Sequence, residues 1–249
     1  MKQLLIRAHL PAGIILHAPD FREMLPKVIN SRADEFFHYR NGIPRPGHPH
    51  IRVVGGLRWV GVVADPGYED ILLANAAAII EAVAKHVGAP VPVAVEHHEV
   101  GGVIVDDVPR VFRVPRLALR VRTARSRGPD KDQLYSERIL LGLAELDRVY
   151  GSLNLPAPPE RISADMAVRA AYVASLRDAL GFQLFDTYRP MGMQVVVPSG
   201  PTNERVTLVG CTFGIQADLV GILQIGCLTS RGFGRIIVPR SRPPVRRAA

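Results

Sequence analysis

The hydrophobic pattern opens with a run from Leu4 to Leu10 that predicts a first strand, with Arg7 and His9 on one face. Asp20 suits the cap of a short helix beginning at Phe21, which Pro26 limits. Ile51 to Ala64 predicts a strand pair or one bent strand, with Gly55-Gly56 as turn or bulge, and Pro66-Gly67 breaks it. From Tyr68 to Val87 the apolar residues Ile71, Leu72, Ala76, Ile79, Ile80 and Val83 recur at helical spacing, and Gly88 stops the run. Val91 to Val95 and Gly102 to Val105 predict two further short strands. The order strand, helix, strand pair, helix, strand is that of a ferredoxin-like βαββαβ module, the frame of an RRM.

The second half repeats this logic less cleanly. Leu117, Leu119 and Val121 alternate with Ala118, Arg120 and Arg122, a strand with an apolar face and an arginine face. Asp130 to Tyr150 and Ser163 to Leu180 predict two helices, with Asp130 and Ser163 as N-caps. The link Gly151 to Arg161 holds Pro156, Pro158 and Pro159 and cannot be helical, so the pair predicts an antiparallel hairpin. Met193 to Val197 and Arg205 to Phe213 predict strands across the turn Pro198 to Asn203. An apolar run from Leu219 to Ile225 then predicts a helix, and Ile236 to Val238 a last strand. The expected fold is α+β: two ferredoxin-like (RRM-like) modules, 1–108 and 109–249, with an inserted helical hairpin at about 130–181.

Charge narrows the function. The 249-residue chain carries a formal net charge of +8, and its pI is about 10.0. Its basic residues are mostly arginine, which grips phosphate in a bidentate fork and stacks on bases. Arg110, Arg113, Arg116, Arg120, Arg122, Arg125 and Arg127 lie in one stretch with no acidic residue. Such a row repels itself unless an RNA backbone neutralises it or water solvates it. Between Arg32 and His50, the residues Phe36, Phe37, His38, Tyr39, Arg40, Arg45, His48 and His50 sit among prolines and glycines. They suit stacking and phosphate contact, or else the phenylalanines anchor a loop whose His38 and Arg40 face water.

Other classes lose ground. Glu96-His97-His98-Glu99 and His48-Pro49-His50 lack zinc-site spacing and a partnering cysteine pair, so neither metal nor cofactor is expected. Cys211 and Cys227 form no CxxC pair, which favours a reducing cytoplasm. Met1 to Arg7 is too short and too charged for a signal peptide. The longest apolar run, Ile71 to Ala84, is broken by Asn75 and Glu81, so no membrane contact is expected.

The loop after Ile225 brings in a family. Gly226, Gly232 and Gly234 allow positive φ and close approach, and the loop is expected to expose backbone N–H groups beside Arg231, a setting for a phosphate ester. Gly226, Thr229, Ser230, Arg231, Gly232, Phe233 and Gly234 resemble the glycine-rich loop of CRISPR-associated repeat-RNA endonucleases in the RAMP superfamily. Leu228 departs from it where many relatives carry a further glycine. In size and layout the chain is similar to the repeat-RNA processing subunit of type IV systems. The resemblance implies a metal-independent endoribonuclease that binds a CRISPR repeat stem-loop. It would cleave precursor CRISPR RNA by 2′-hydroxyl attack, leaving a 2′,3′-cyclic phosphate, and stay with the guide RNA among other effector-complex subunits. The implied catalytic candidates are Arg22, His38 and Arg40 in the N-terminal half, and Arg242 beyond the last strand. The implied RNA-binding residues are Arg116, Arg120, Arg122, Arg125, Arg127, Thr229, Ser230, Arg231, Gly232, Gly234 and Arg235. A non-catalytic RNA-binding RAMP subunit and a ribosome- or tRNA-associated RNA binder are the competing classes.

Overall fold

A computed structural model describes residues 1–30, 32–40, 43–45, 47–119, 130–160, 162, 165–188, 194–199 and 202–239. In chain order these form β1 (Lys2–His9), α1 (Ala18–Met24), α2 (Ala33–Phe36), β2 (Tyr39–Arg40), β3 (Ile43–Pro44), β4 (Ile51–Gly56) and β5 (Trp59–Ala64). There follow α3 (Glu69–Ala74), α4 (Ala76–Val87), β6 (Val93–Glu99), β7 (Gly102–Leu119), α5 (Lys131–Val149) and α6 (Met166–Leu180). The last elements are β8 (Gln183–Tyr188), β9 (Gln194–Ser199) and β10 (Thr202–Val220).

The first sheet is antiparallel with strand order β4-β5-β1-β6, the ferredoxin-like order expected from the sequence. Period-two alternation sends Leu4, Ile6, Val53, Val60 and Val62 to one face. There they bury against Phe21 and Leu25 near α1 and Ile71, Leu72, Ile79 and Val83 of α3 and α4. The single helix expected over Tyr68 to Val87 is broken in two at Asn75. Its side-chain Nδ2 donates to the Ile71 carbonyl at 2.8 Å, in competition with the helical ladder.

The second sheet has the order β7-β10-β8, and β9 pairs with the first part of β10. β7 and β10 are both long, with 18 and 19 residues, where shorter strands were expected. α5 and α6 bury Ile139, Leu143, Tyr172 and Leu176 against Phe112, Leu117, Phe213 and Ile215. α6 starts later than expected, because Asp165 accepts bonds from the amides of Ala167 and Val168 at 2.8 and 3.2 Å. Ser163 lies outside the described residues, and Asp130 makes no side-chain cap. The molecule is thus α+β, with two antiparallel sheets and helices in a tandem ferredoxin-like arrangement.

The helix expected over Leu219 to Ile225 is absent. β10 runs on to Val220, and Gly221 turns the chain at φ +120°. Beyond it, Leu223 and Ile225 point into the second core while Gln224 between them points to the first lobe, a period of two rather than 3.6. Ile225 N donates to Gly234 O at 3.0 Å and Ile236 N to Leu223 O at 2.9 Å, so the segment pairs with the returning chain. The last strand is reduced to a bridge in which Ile237 pairs with Arg113 on β7.

One buried polar network joins the lobes. Arg52 on β4 is 0% exposed. Its Nη1 and Nη2 donate to Asp65, after β5, at 2.6 and 2.9 Å. Asp65 also accepts from Gln3 Nε2 of β1 and from the Tyr150 hydroxyl beyond α5, each at 2.9 Å. The remaining Arg52 donors reach Gln224 Oε1 at 3.1 Å, Pro49 O at 2.8 Å and Ile222 O at 3.3 Å. Burial opposes both charges, but Arg52 outweighs it and holds the Asp65 carboxyl well below the usual range. Because the pair is enclosed, Arg52→Met would strand a charged Asp65, at a cost of about 3–5 kcal/mol. Urea unfolding measures this, and a loss under about 1 kcal/mol would show that the network is slack.

His48 gives the network a pH dependence. Its Nε2 is buried 2.7 Å from Arg52 Nη1, and an enclosed site beside a guanidinium favours the neutral imidazole. Burial first, and Arg52 second, push its pKa down to about 4. The unfolded imidazole protonates near pH 6.5, where the folded one does not. This contribution is therefore full above the unfolded value. It is lost as pH falls from about 6.5 to about 4, by up to about 3 kcal/mol. Urea midpoints between pH 7.5 and 4.5 follow the loss. His48→Gln, which keeps an acceptor but cannot titrate, is expected to flatten it.

Candidate functional site

The glycine-rich loop is built from the network outwards. Gln224 Oε1 faces Arg52 Nε, which fixes the amide so that Nε2 donates to Val53 O, Thr229 O and Phe233 O at 3.2, 3.1 and 3.1 Å. One side chain therefore ties both ends of the loop to β4. Thr229–Arg231 form a single 3₁₀ turn. The N–H groups of Arg231, Gly232 and Gly234 are spent on Leu228 O, Thr229 O and Arg116 O at 2.9, 3.0 and 2.8 Å. The expectation that the loop exposes its amides fails at these three positions, because the tight turn and the β7 edge consume them.

Gly232 and Gly234 are explained by internal packing. Both have positive φ, +88° and +76°. A Cβ on Gly232 would lie 2.4 Å from the Ala18 Cβ of α1, and one on Gly234 would lie 1.8 Å from the Ile225 carbonyl oxygen. The backbone that approaches these glycines closely is the protein's own.

Two clefts flank the loop. One, of about 430 Å³, is lined by His48, Arg138, Glu145, Gln224, Cys227 and Thr229, among others. The other, of about 280 Å³, runs between His17–Pro19, Gly55–Gly56, Pro115–Arg116, Gly232–Arg235 and Ile237. No carboxylate lines this second cleft among the described residues, whereas His17, Arg116 and Arg235 do. Arg116 lies over the buried Phe233 ring at 6.0 Å and Arg235 over Trp59 at 4.8 Å. Arg235 also donates to Gly55 O at 2.9 Å. Arginine held in this way presents a fixed positive charge to an anion and cannot act as a base.

The sequence candidates scatter around this cleft. Arg22 sits one helical turn beyond Ala18, which packs against Gly232, and its guanidinium stacks on Phe37 at 4.0 Å. His38 follows Phe37 in the left-handed region, φ 61°, and is half-buried. Phe36 and Phe37 are buried, so they anchor this loop. Arg40 forms the short β2–β3 pairing with Ile43, and its side chain is not described. Arg120, Arg122, Arg125, Arg127 and Arg242 lie outside the described residues. Ahead of them on the strand, Ala118 is buried against Val206, Leu208 and Phe233. Thr229 lines the larger cleft, Gly232, Gly234, Arg116 and Arg235 line the smaller, and Ser230 and Arg231 are half-buried in the turn.

Sequence reasoning missed His17, Trp59 and Gln224. His17 stands alone before the Ala18-Pro19-Asp20 helix start, Trp59 lies outside any motif, and Gln224 was placed in a helix. Cys211 is buried with its thiol pushed up to about 12, and Cys227 Sγ donates to Ala118 O at 3.1 Å, so neither is a poised nucleophile. Among the described residues, no three His, Cys, Asp or Glu side chains converge to hold a metal ion. Nor is any helix there long and apolar enough to cross a membrane.

A family model described as type IV CRISPR-associated endonuclease Csf5 matches residues 1–241. No curated protein matches the chain significantly. Among solved structures, Csf5, the CRISPR-Cas type IV Cas6 crRNA endonuclease, is similar with a TM-score of 0.73 at 27% identity, over 96% of this chain and 100% of that one. The CRISPR RNA processing endoribonuclease Cas6b is similar with a TM-score of 0.51 at 13% identity, and a second Cas6b structure with 0.53 at 13%. Each covers 96% of this chain and 100% of its own, and at that identity the likeness is one of fold.

The loop's packing can be checked without RNA. Gly234→Ala forces a Cβ into the Ile225 carbonyl at positive φ and is expected to cost on the order of 3 kcal/mol. A urea midpoint equal to the parent's would mean that the loop is not packed in this way.

Proposed function

The chain belongs to the family of type IV CRISPR-associated Csf5 endonucleases, and we propose that it binds a CRISPR repeat stem-loop and cuts precursor CRISPR RNA beside it. The cut is an attack by the 2′-hydroxyl upstream of the scissile phosphate, with no metal ion taking part. The 2′-oxygen bonds to phosphorus, the 5′-oxygen leaves with a proton, and the products end in a 2′,3′-cyclic phosphate and a 5′-hydroxyl. The cleft beneath the glycine-rich loop carries this reading, because it gathers Arg116, Arg235 and His17 with no carboxylate among the described residues. Positive groups set in a partly enclosed site stabilise the charge that builds on the phosphorane.

Roles follow from chemistry. Arginine holds and neutralises phosphate, which suits Arg22, Arg40, Arg116, Arg235 and Arg242. Proton transfer near neutral pH suits an imidazole, either His17 in the cleft or His38 near Arg22. Arg120, Arg122, Arg125 and Arg127, with Thr229, Ser230 and Arg231, extend the basic path along which the stem lies. Gly232 and Gly234 keep the loop in shape. After cutting, the protein stays on the guide RNA and meets other effector-complex subunits.

The test is a repeat hairpin incubated with the protein in EDTA. Cleavage should proceed and yield a cyclic phosphate. It should stop when one deoxynucleotide replaces the ribose upstream of the cut. Loss of activity in EDTA with a deoxy substrate still cleaved would point to metal-assisted hydrolysis instead. Arg116→Ala should slow cleavage by on the order of 100-fold if it stabilises the transition state. A parent-like rate would remove it from the site.

A further inference from the structure

The outward face of the first sheet is only partly covered by the second lobe. Alternation puts Gln3, Leu5 and Arg7 of β1 on this face, with Trp59 and Val63 of β5. Gln3, Leu5 and Val63 are buried there, with Ile222 of the second lobe packed against Leu5 and Val63. Towards the other end of the face, Arg7 and Trp59 are half-buried. The Arg7 guanidinium carbon lies 5.5 Å from the Trp59 ring centroid and that of Arg235 lies 4.8 Å from it.

Two like charges therefore share one indole. Arg7 is paired with Glu96, which also meets His98 Nε2 at 3.0 Å, but Arg7 Nε is buried without a hydrogen-bond partner among the described residues. Arg235 donates to the Gly55 carbonyl and has no carboxylate partner among the described residues. Burial first, and the Arg7 charge second, lower its pKa from the ordinary arginine value, the direction expected of a cation short of a counter-ion. Arg235 also lines the cleft beneath the glycine-rich loop, so this cluster adjoins it.

We propose that Arg7, Trp59 and Arg235 form a phosphate-binding subsite that carries the RNA backbone from the cleft onto the open face of the first sheet. The proposal rests on the reading of the chain as an RNA-binding endonuclease. A phosphodiester there satisfies both guanidiniums at once, Trp59 supports them through its π face, and Glu96 is the internal competitor that the phosphate displaces from Arg7.

Trp59 is the chain's one tryptophan, so intrinsic fluorescence reports on this subsite alone. The full chain is titrated with a repeat hairpin made uncleavable by one deoxynucleotide, and the anisotropy of labelled RNA is followed in parallel. Trp59 emission should change saturably with the midpoint seen by anisotropy. Arg7→Gln should weaken binding about tenfold and lower the slope of log affinity against log salt by about 1. Glu96→Gln removes the competitor and should tighten binding a few-fold, an opposite sign that a purely structural pair would not produce. RNA binding with flat Trp59 emission and a parent-like Arg7→Gln slope overturns the subsite and leaves the endonuclease reading standing. A normal emission response without cleavage of the all-ribose hairpin supports the subsite and counts against the nuclease reading alone. Absence of RNA binding overturns both.

Discussion

The structure depends on one buried ion pair, Arg52 with Asp65. Neither charge could be enclosed alone, since a bare buried ion costs many kilocalories. The pair is tolerable because its hydrogen-bonding capacity is used almost completely. Gln3, Tyr150, Gln224, Pro49 O and Ile222 O each take a place around it. Those partners come from both lobes, so the pair can be fully satisfied only when the lobes are docked in one way. Against a well-packed apolar contact of the same size, such a pair contributes little net stability. Its effect is to fix geometry, because a slightly shifted docking would leave donors and acceptors unmet.

That geometry passes to the loop through Gln224. The amide takes its orientation from Arg52 and then holds Thr229 O and Phe233 O, so the ends of the loop are set by a charge buried in the other lobe. The glycines complete the arrangement by letting the chain pass close to Ala18 and Ile225. The loop is then a rigid wall, and the charge facing the smaller cleft comes from the side chains Arg116 and Arg235. Side chains held by packed neighbours lose little entropy when a ligand arrives, which is what positioning requires.

Much of this was legible in the sequence, and the division has a physical basis. The ferredoxin-like order of the first module followed from local periodicity, because each strand buries one face against its own helices. What escaped was non-local. Arg52 and Tyr150 are 98 residues apart, and nothing in either segment announces the other. The stretch Leu219 to Ile225 misled because a short apolar run suits a helix or a strand equally, and only the Gln224 amide, buried in the opposite lobe, decides between them. Ala118 is covered by Phe233 from a segment more than a hundred residues later, a contact that nothing near Ala118 announces. The glycines were correctly singled out, but for the wrong neighbour: sequence shows that something comes close, not whether it is ligand or self.

The excess of arginine over acid is also intelligible at this level. Where a guanidinium is part of the fold, as at Arg52, a carboxylate sits beside it. At Arg235 no such carboxylate stands among the described residues, and the guanidinium is propped instead by a carbonyl and an aromatic ring. Neutral supports orient the charge without cancelling it, so it remains available to an anion from outside. The half-burial of Arg235 strengthens that availability, because a partly desolvated cation gains more from a phosphate than a solvated one does and is less screened by salt. The 31 basic residues are therefore unevenly used. Some, as at Arg52, are balanced inside the fold to hold the lobes together, and others, as at Arg235, are left without a carboxylate among the described residues where the second lobe's loop meets the first lobe's sheet.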